Sequence, residues 1–408
     1  MILNKFVYNY FLILFAAIPV SIVAGPSISL FNIIIIDFSF ICLIIYLRNF
    51  NFLKNKTFFY LLILYSYLIF NSIISLEPYE GIYRNLGFIR IIIFFIAVNF
   101  FFNQKLFFKK VFWIWLIVIS IIVFDVYIER FSGENLFGFG KEYGQRIVSF
   151  FKDEPIVGGY INGFCLLIIG FLLDTYKNYN QKKILFLSLI FITAIFLTGE
   201  RSNSIKTLIG ISIFYLLLDD FKFKQKIFFL SSILIFFIII IFNFSFLKER
   251  FVNQFKYVKI ENTLYYRHYV SGLSVFENHK LLGVGNKNYR VETCENSQKL
   301  EIANKQNYLC STHPHQIYFE ILSEHGIVGT VIILMIFYKL IFSKIKKIFL
   351  NGNYIEKGSL IYLIIVFFPL LPSGSFFNDY MMTLFAINLS ILYGSNNELN
   401  IFSAKKNI

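Results

Sequence analysis

His315 closes the run Cys310-Ser311-Thr312-His313-Pro314-His315, just before a long apolar stretch opens at Gln316-Ile317-Tyr318-Phe319. Thr312 or His313 suits a helix cap and Pro314 a first turn, which predicts that His315 projects from the start of a helix. The positive end of a helix disfavours imidazolium, so His315 is expected neutral, and a neutral imidazole beside a hydroxyl can act as a general base. The plainer reading makes both histidines capping or surface residues. Arg201 stands in Thr198-Gly199-Glu200-Arg201-Ser202-Asn203, a connection of a few residues between two apolar runs. A guanidinium there can grip phosphate bidentately, pair with Glu200, or snorkel to lipid headgroups. Arg146 could add a second guanidinium, with Asp153 and Glu154 orienting it or binding sugar hydroxyls. Arg267, in Tyr265-Tyr266-Arg267-His268-Tyr269, has aromatic neighbours that could stack on a sugar ring. Cys294 and Cys310 are close enough in sequence to join in an oxidising compartment. A zinc set of Cys310, His313 and His315 matches no standard spacing and lacks a fourth ligand.

Such residues need a scaffold, and the composition specifies it. Of 408 residues, 57% are hydrophobic and 15% charged, with a mean hydropathy of +0.66; a soluble domain is about one-quarter charged. A disordered chain, a collagen repeat, a disulfide scaffold and an ordinary soluble enzyme are excluded. Runs of about 20 mostly apolar residues, the length needed to cross hydrocarbon, recur near 6–24, 28–47, 57–76, 86–102, 111–128, 156–173, 183–199, 204–219, 227–246, 318–343, 359–374 and 377–394. They predict an all-α polytopic integral membrane protein of about twelve transmembrane helices, forming a single membrane domain over 1–408. Stretches 129–155 and 247–317 are expected on the outer face, the second as a large loop between spans nine and ten that bears part of the site.

Short loops fix orientation because Lys and Arg stay cytoplasmic. Every second connection is basic, from Arg48/Lys54/Lys56 to Lys344/Lys346/Lys347/Lys357, which predicts that both termini are cytoplasmic. The cytoplasmic segments hold nineteen basic and five acidic residues, accounting for the whole net charge of +14. That charge is therefore a topology signal, and no nucleic-acid partner is expected.

Four segments resemble the bacterial O-antigen ligase and polymerase superfamily. THPHQIYFEILSEHGIVG carries His315 and Gly326, LLGVGNKNYR (281–290) precedes it, RIVSFFKDEPIVGGY (146–160) enters the middle block, and TGERSNS (198–204) is the short arginine loop. The resemblance covers roughly 140–345. It implies a GT-C-like glycosyltransferase of the inner membrane, with its active site periplasmic and using neither metal nor cofactor. The donor would be an undecaprenyl-diphosphate-linked glycan, and the acceptor lipid A–core (ligase) or a further glycan repeat (polymerase). By position, His315 would be the catalytic base and Arg201 the catalytic cation. Arg146, with Arg267 as helper, would hold the diphosphate, and His313 and Glu154 would line the substrate. Glu200 departs from the pattern, because many relatives have a small residue before the arginine. A twelve-span secondary transporter and a protein O-oligosaccharyltransferase are the competing readings.

Overall fold

The computed structural model describes residues 3–104, 106–140, 146–152, 154–176, 181–219, 221–257, 259–295 and 307–403. Its regular elements are helical: α1 (Lys5–Ala16), α2 (Ile18–Ala24), α3 (Pro26–Leu47), α4 (Lys56–Ile73), α5 (Pro78–Gly87), α6 (Ile89–Phe102), α7 (Phe107–Ser132), α8 (Val157–Thr175), α9 (Gln181–Leu197), α10 (Arg201–Leu216), α11 (Phe223–Asn243), α12 (Ser245–Lys248), α13 (Gln254–Tyr257), α14 (Leu264–Asn278), α15 (Ile317–Leu340), α16 (Ile345–Asn351), α17 (Tyr354–Val366) and α18 (Asp379–Ser395).

Each predicted apolar run carries a helix. Among the described residues seven helices are long and apolar enough to cross a membrane, or eight if the bent pair α1–α2 is one span. The other four predicted runs form the shorter helices α9, α10, α17 and α18, of 17, 16, 13 and 17 residues. At 1.5 Å per residue α17 reaches about 20 Å, short of a hydrocarbon core of about 30 Å. Pro369 and Pro372 stop it, because the residue before a proline is pushed out of the helical region. The chain then runs irregularly until Asn378 caps α18, its side chain accepting from the Met381 N–H at 2.7 Å.

The core sits around α8, which is buried along almost its whole length against α7, α9, α10, α17 and α18. Its C-terminal Asp174 accepts from the first N–H groups of α17 (Tyr354, 3.0 Å; Ile355, 2.9 Å), tying the end of α8 to the start of α17, which packs alongside it. By contrast α11 buries only Ile233 and Phe237 and turns side chains such as Phe228, 75% exposed, outward. An apolar surface of this extent is stable only in lipid. The chain is a multi-pass helical membrane protein.

One packing device shapes the region before His315. At Gly326 (φ +60) α15 is broken, and chain 280–285 pairs with its freed backbone. Val284 N–H donates to Ser323 O (3.0 Å) and Gly285 N–H to Glu324 O (2.8 Å). Ile327 and Val328 N–H donate back to Lys280 and Leu281 O (2.8 and 3.2 Å). A Cβ on Gly283 would lie 2.4 Å from the Glu324 backbone, and one on Gly326 2.4 Å from that of Leu281. Gly329, by contrast, lies against the Tyr67 hydroxyl.

Candidate functional site

His315 lies outside α15. The expected cap at Thr312 or His313 is replaced by Gln316, whose Oε1 accepts from Tyr318 and Phe319 N–H at 2.7 and 3.1 Å. His315 has φ +54, a left-handed conformation that cannot form a first helical turn. Its carbonyl accepts from Ser373 N–H at 2.8 Å, which fixes that conformation. Around its ring stand His313 and His268, with centroids 4.1 and 4.4 Å away, and Tyr265 at 6.1 Å.

Burial lowers the pKa of His315. It lowers His268 to about 4 and His313 to about 3, each helped by the neighbouring His315 charge. All three rings are therefore neutral at neutral pH, through burial more than through a helix dipole. Sequence reading gave His268 no role; its only signal was its place beside Arg267 in the aromatic segment.

The second cluster forms on the turn between α9 and α10. The Glu200 carboxylate accepts from Gly158 and Gly159 N–H at the start of α8 (2.7 and 3.3 Å) and from Asn203 Nδ2 (2.6 Å). Burial nevertheless pushes its pKa up. Arg201 Nη1 donates to Arg250 O at 3.2 Å, and Arg250 Nε to Gly199 O at 2.8 Å. Arg146 Nη2 donates to Pro155 O at 2.6 Å, and the adjacent Ile147 N–H to Thr198 O at 3.2 Å. Burial and the charges of Arg201 and Arg146 lower the pKa of Arg250, so three guanidinium groups share one neighbourhood. Like charges held together are favoured when an anion comes between them. Arg250 was not anticipated, and its setting Lys248-Glu249-Arg250 reads as ordinary loop charge.

One peptide group joins the two clusters. Pro372 O accepts from Ser202 Oγ, next to Arg201, while the N–H of the same Pro372–Ser373 bond holds His315. Donor and acceptor lie on opposite edges of a trans peptide, so Ser202 Oγ and His315 O are about 7 Å apart. Tyr269 Oη donates to Leu370 O in the same segment at 3.3 Å. Arg146 Nε, His268 Nδ1 and Ser373 Oγ are buried there without a hydrogen-bond partner among the described residues. Such atoms call for a ligand or water.

The remaining expected residues stand at the margin. Glu154 is exposed, in the turn into α8, and Arg267 is exposed on α14, its charge reaching His268. Asp153 lies outside the described residues. Cys294 and Cys310 are joined in a disulfide, which removes Cys310 from any zinc set. Among the described residues no group of three or more His, Cys, Asp or Glu is placed to hold a metal ion.

Residues 186–334 match the family model described as O-antigen ligase, a family of membrane enzymes that transfer glycans from lipid-linked substrates. No curated protein matches the chain.

Proposed function

We propose, for a membrane protein carrying an O-antigen ligase family domain over residues 186–334, that it transfers a glycan from an undecaprenyl-diphosphate carrier to an acceptor hydroxyl at the periplasmic face of the inner membrane. His315 takes the acceptor proton as the acceptor oxygen bonds to the anomeric carbon. The bond from that carbon to the diphosphate breaks, and undecaprenyl diphosphate leaves as an anion. Arg201, Arg146 and Arg250 stabilise the charge that develops on it, the role fixed cations fill best in a site shielded from water. No metal enters this scheme. Arg267, His313 and Glu154 line the approach. The observation that carries the reading is the Pro372–Ser373 peptide, which holds the arginine turn and His315 on its two edges.

All twelve apolar helices are taken to reach or cross the membrane, with both termini cytoplasmic and the 129–155 and 247–317 stretches periplasmic. The short α9, α10, α17 and α18 then set the site in a recess of the outer leaflet. Irregular backbone at that depth is tolerated where it lines a protein cavity. The gathering of charged and titratable residues at helix ends favours an enzyme over a transporter, whose ionisable residues face a midplane cavity.

The test is a deletion strain complemented with His315→Ala. The variant should insert at wild-type level and yield no transferred glycan; wild-type glycan would end the reading. In the deletion strain itself, polymer left on its lipid carrier identifies a ligase, and a single capped repeat identifies a polymerase.

A further inference from the structure

Lys287 occupies a left-handed backbone conformation, φ +67, which a residue with a Cβ adopts at a cost and glycine does not. The surroundings impose it. Asn286 N–H donates to Asn71 Oδ1 (2.8 Å), Glu77 N–H to Asn288 Oδ1 (2.7 Å), and Leu76 N–H to Val284 O (3.1 Å), stitching 284–288 to the α4–α5 corner. A side chain kept at a position better suited to glycine points to a use for that side chain.

The half-buried ammonium of Lys287 donates to Ser375 Oγ, which in turn donates to Glu320 Oε1. Glu320 is fully buried, and its other oxygen accepts from Phe376 N–H at 2.8 Å. Two residues back along the same turn, Ser373 N–H holds the carbonyl of His315, also a left-handed residue. Lys287 therefore fastens one end of a three-residue turn whose other end sets the base. Its charge also reaches His313.

We propose that Lys287 is a positioning residue for the transfer reaction: by holding Ser375 against Glu320 it fixes the 373–375 turn, and through Ser373 it fixes the conformation of His315. The inference rests on the reading of His315 as base. The competing account makes Lys287 only a counter-ion for buried Glu320. Removing it would then lower the amount of folded protein but leave turnover per folded molecule intact.

The full-length protein in lipid vesicles is given the lipid-linked glycan that accumulates in the deletion strain together with the acceptor, lipid A–core for a ligase or the lipid-linked repeat itself for a polymerase. Released undecaprenyl diphosphate is quantified per folded molecule. Lys287→Met should lower kcat about tenfold or more with donor KM within about twofold, and Lys287→Arg should recover most of the loss. Ser375→Ala should cost a similar factor. The double variant Lys287→Met/Ser375→Ala should be no worse than the poorer single one, because the two act in one chain of contacts. Wild-type kcat in Lys287→Met, or losses that multiply in the double variant, overturns the proposal. If Lys287→Met does not insert, Ser375→Ala decides alone: wild-type kcat overturns the proposal, and a loss at unchanged KM supports it. His315→Ala run in parallel separates the two ideas. Activity there sinks the base reading; an inactive His315→Ala beside a fully active Lys287→Met sinks only this inference.

Discussion

The base role proposed for His315 needs an unprotonated ring, and burial sets the pH at which His315 loses that state. Its pKa lies below the ordinary value of about 6.5, so the unprotonated fraction falls only as the pH drops through that lower value. The acid limb of kcat/KM should therefore lie below about pH 6.5; a limb at or above 6.5 contradicts the assignment. Among the arginines, Arg250 is the informative one, because it both caps Gly199 O and joins the cation cluster. Arg250→Ala should lower turnover about 100-fold, the usual effect of losing one preorganised charge donor. Arg250→Lys should recover little, since an ammonium cannot serve the carbonyl and a phosphate with one planar fork. Near-wild-type kcat/KM in Arg250→Lys would show that the fork geometry is not used. As candidates, His315 and Arg201 stand out in sequence, one before a long apolar run and the other as a charge in a short connection between two such runs. Arg146 enters only as a companion of Arg201, and Arg250 and His268 join the two clusters through tertiary neighbours, which local sequence signals weakly at most.

At the scale of elements, the apolar runs fixed where helices form, since a period of continuous hydrophobicity has no other solution in lipid. What it hid is the break in α15: 318–343 reads as one run, yet Gly326 interrupts it and 280–285 fills the gap. The glycines of LLGVGNKNYR and HGIVG are therefore two sides of one backbone contact, a relation between segments about forty residues apart that local spacing does not encode. Gly283→Ala should be the sharpest probe. Its Cβ would meet the Glu324 carbonyl group at 2.4–2.5 Å, and φ is +70, so neither strand can yield cheaply. A loss of about 2 kcal/mol or more is expected from overpacking and backbone strain together, read as a lowered Tm in detergent. Gly374→Ala, whose nearest neighbours are at 3.7 and 3.8 Å, should leave Tm nearly unchanged. Equal Tm values for the two variants would remove the contact from the account of this loop.

For the whole molecule the open quantity is how many helices cross, and charge counting alone does not decide it. The four short helices form two hairpins, α9–α10 and α17–α18, and a hairpin that enters and returns on the same side leaves every basic loop where it was. Eight spans and twelve therefore predict the same side for both termini. The hydrogen bonds between hairpin tips discriminate. Ser202 at one tip bonds Pro372 at the other, and Ser373 bonds His315 at the end of the 247–317 stretch. If that stretch is periplasmic, both tips must open to the periplasmic side, and the short helices leave them in a recess rather than above the surface. Leu370, 72% exposed at the α17–α18 tip, reports this directly. With Cys42 and Cys165 replaced and the disulfide kept, a membrane-impermeant maleimide applied to spheroplasts should label Leu370→Cys and the exposed outer position Lys280→Cys. It should leave Asn397→Cys, exposed beyond α18, unlabelled until the membrane is opened. Labelling of Lys280→Cys without Leu370→Cys would make α17–α18 a hairpin that never reaches the outer side, and the peptide link between the arginine turn and His315 would lose its place at the periplasmic face.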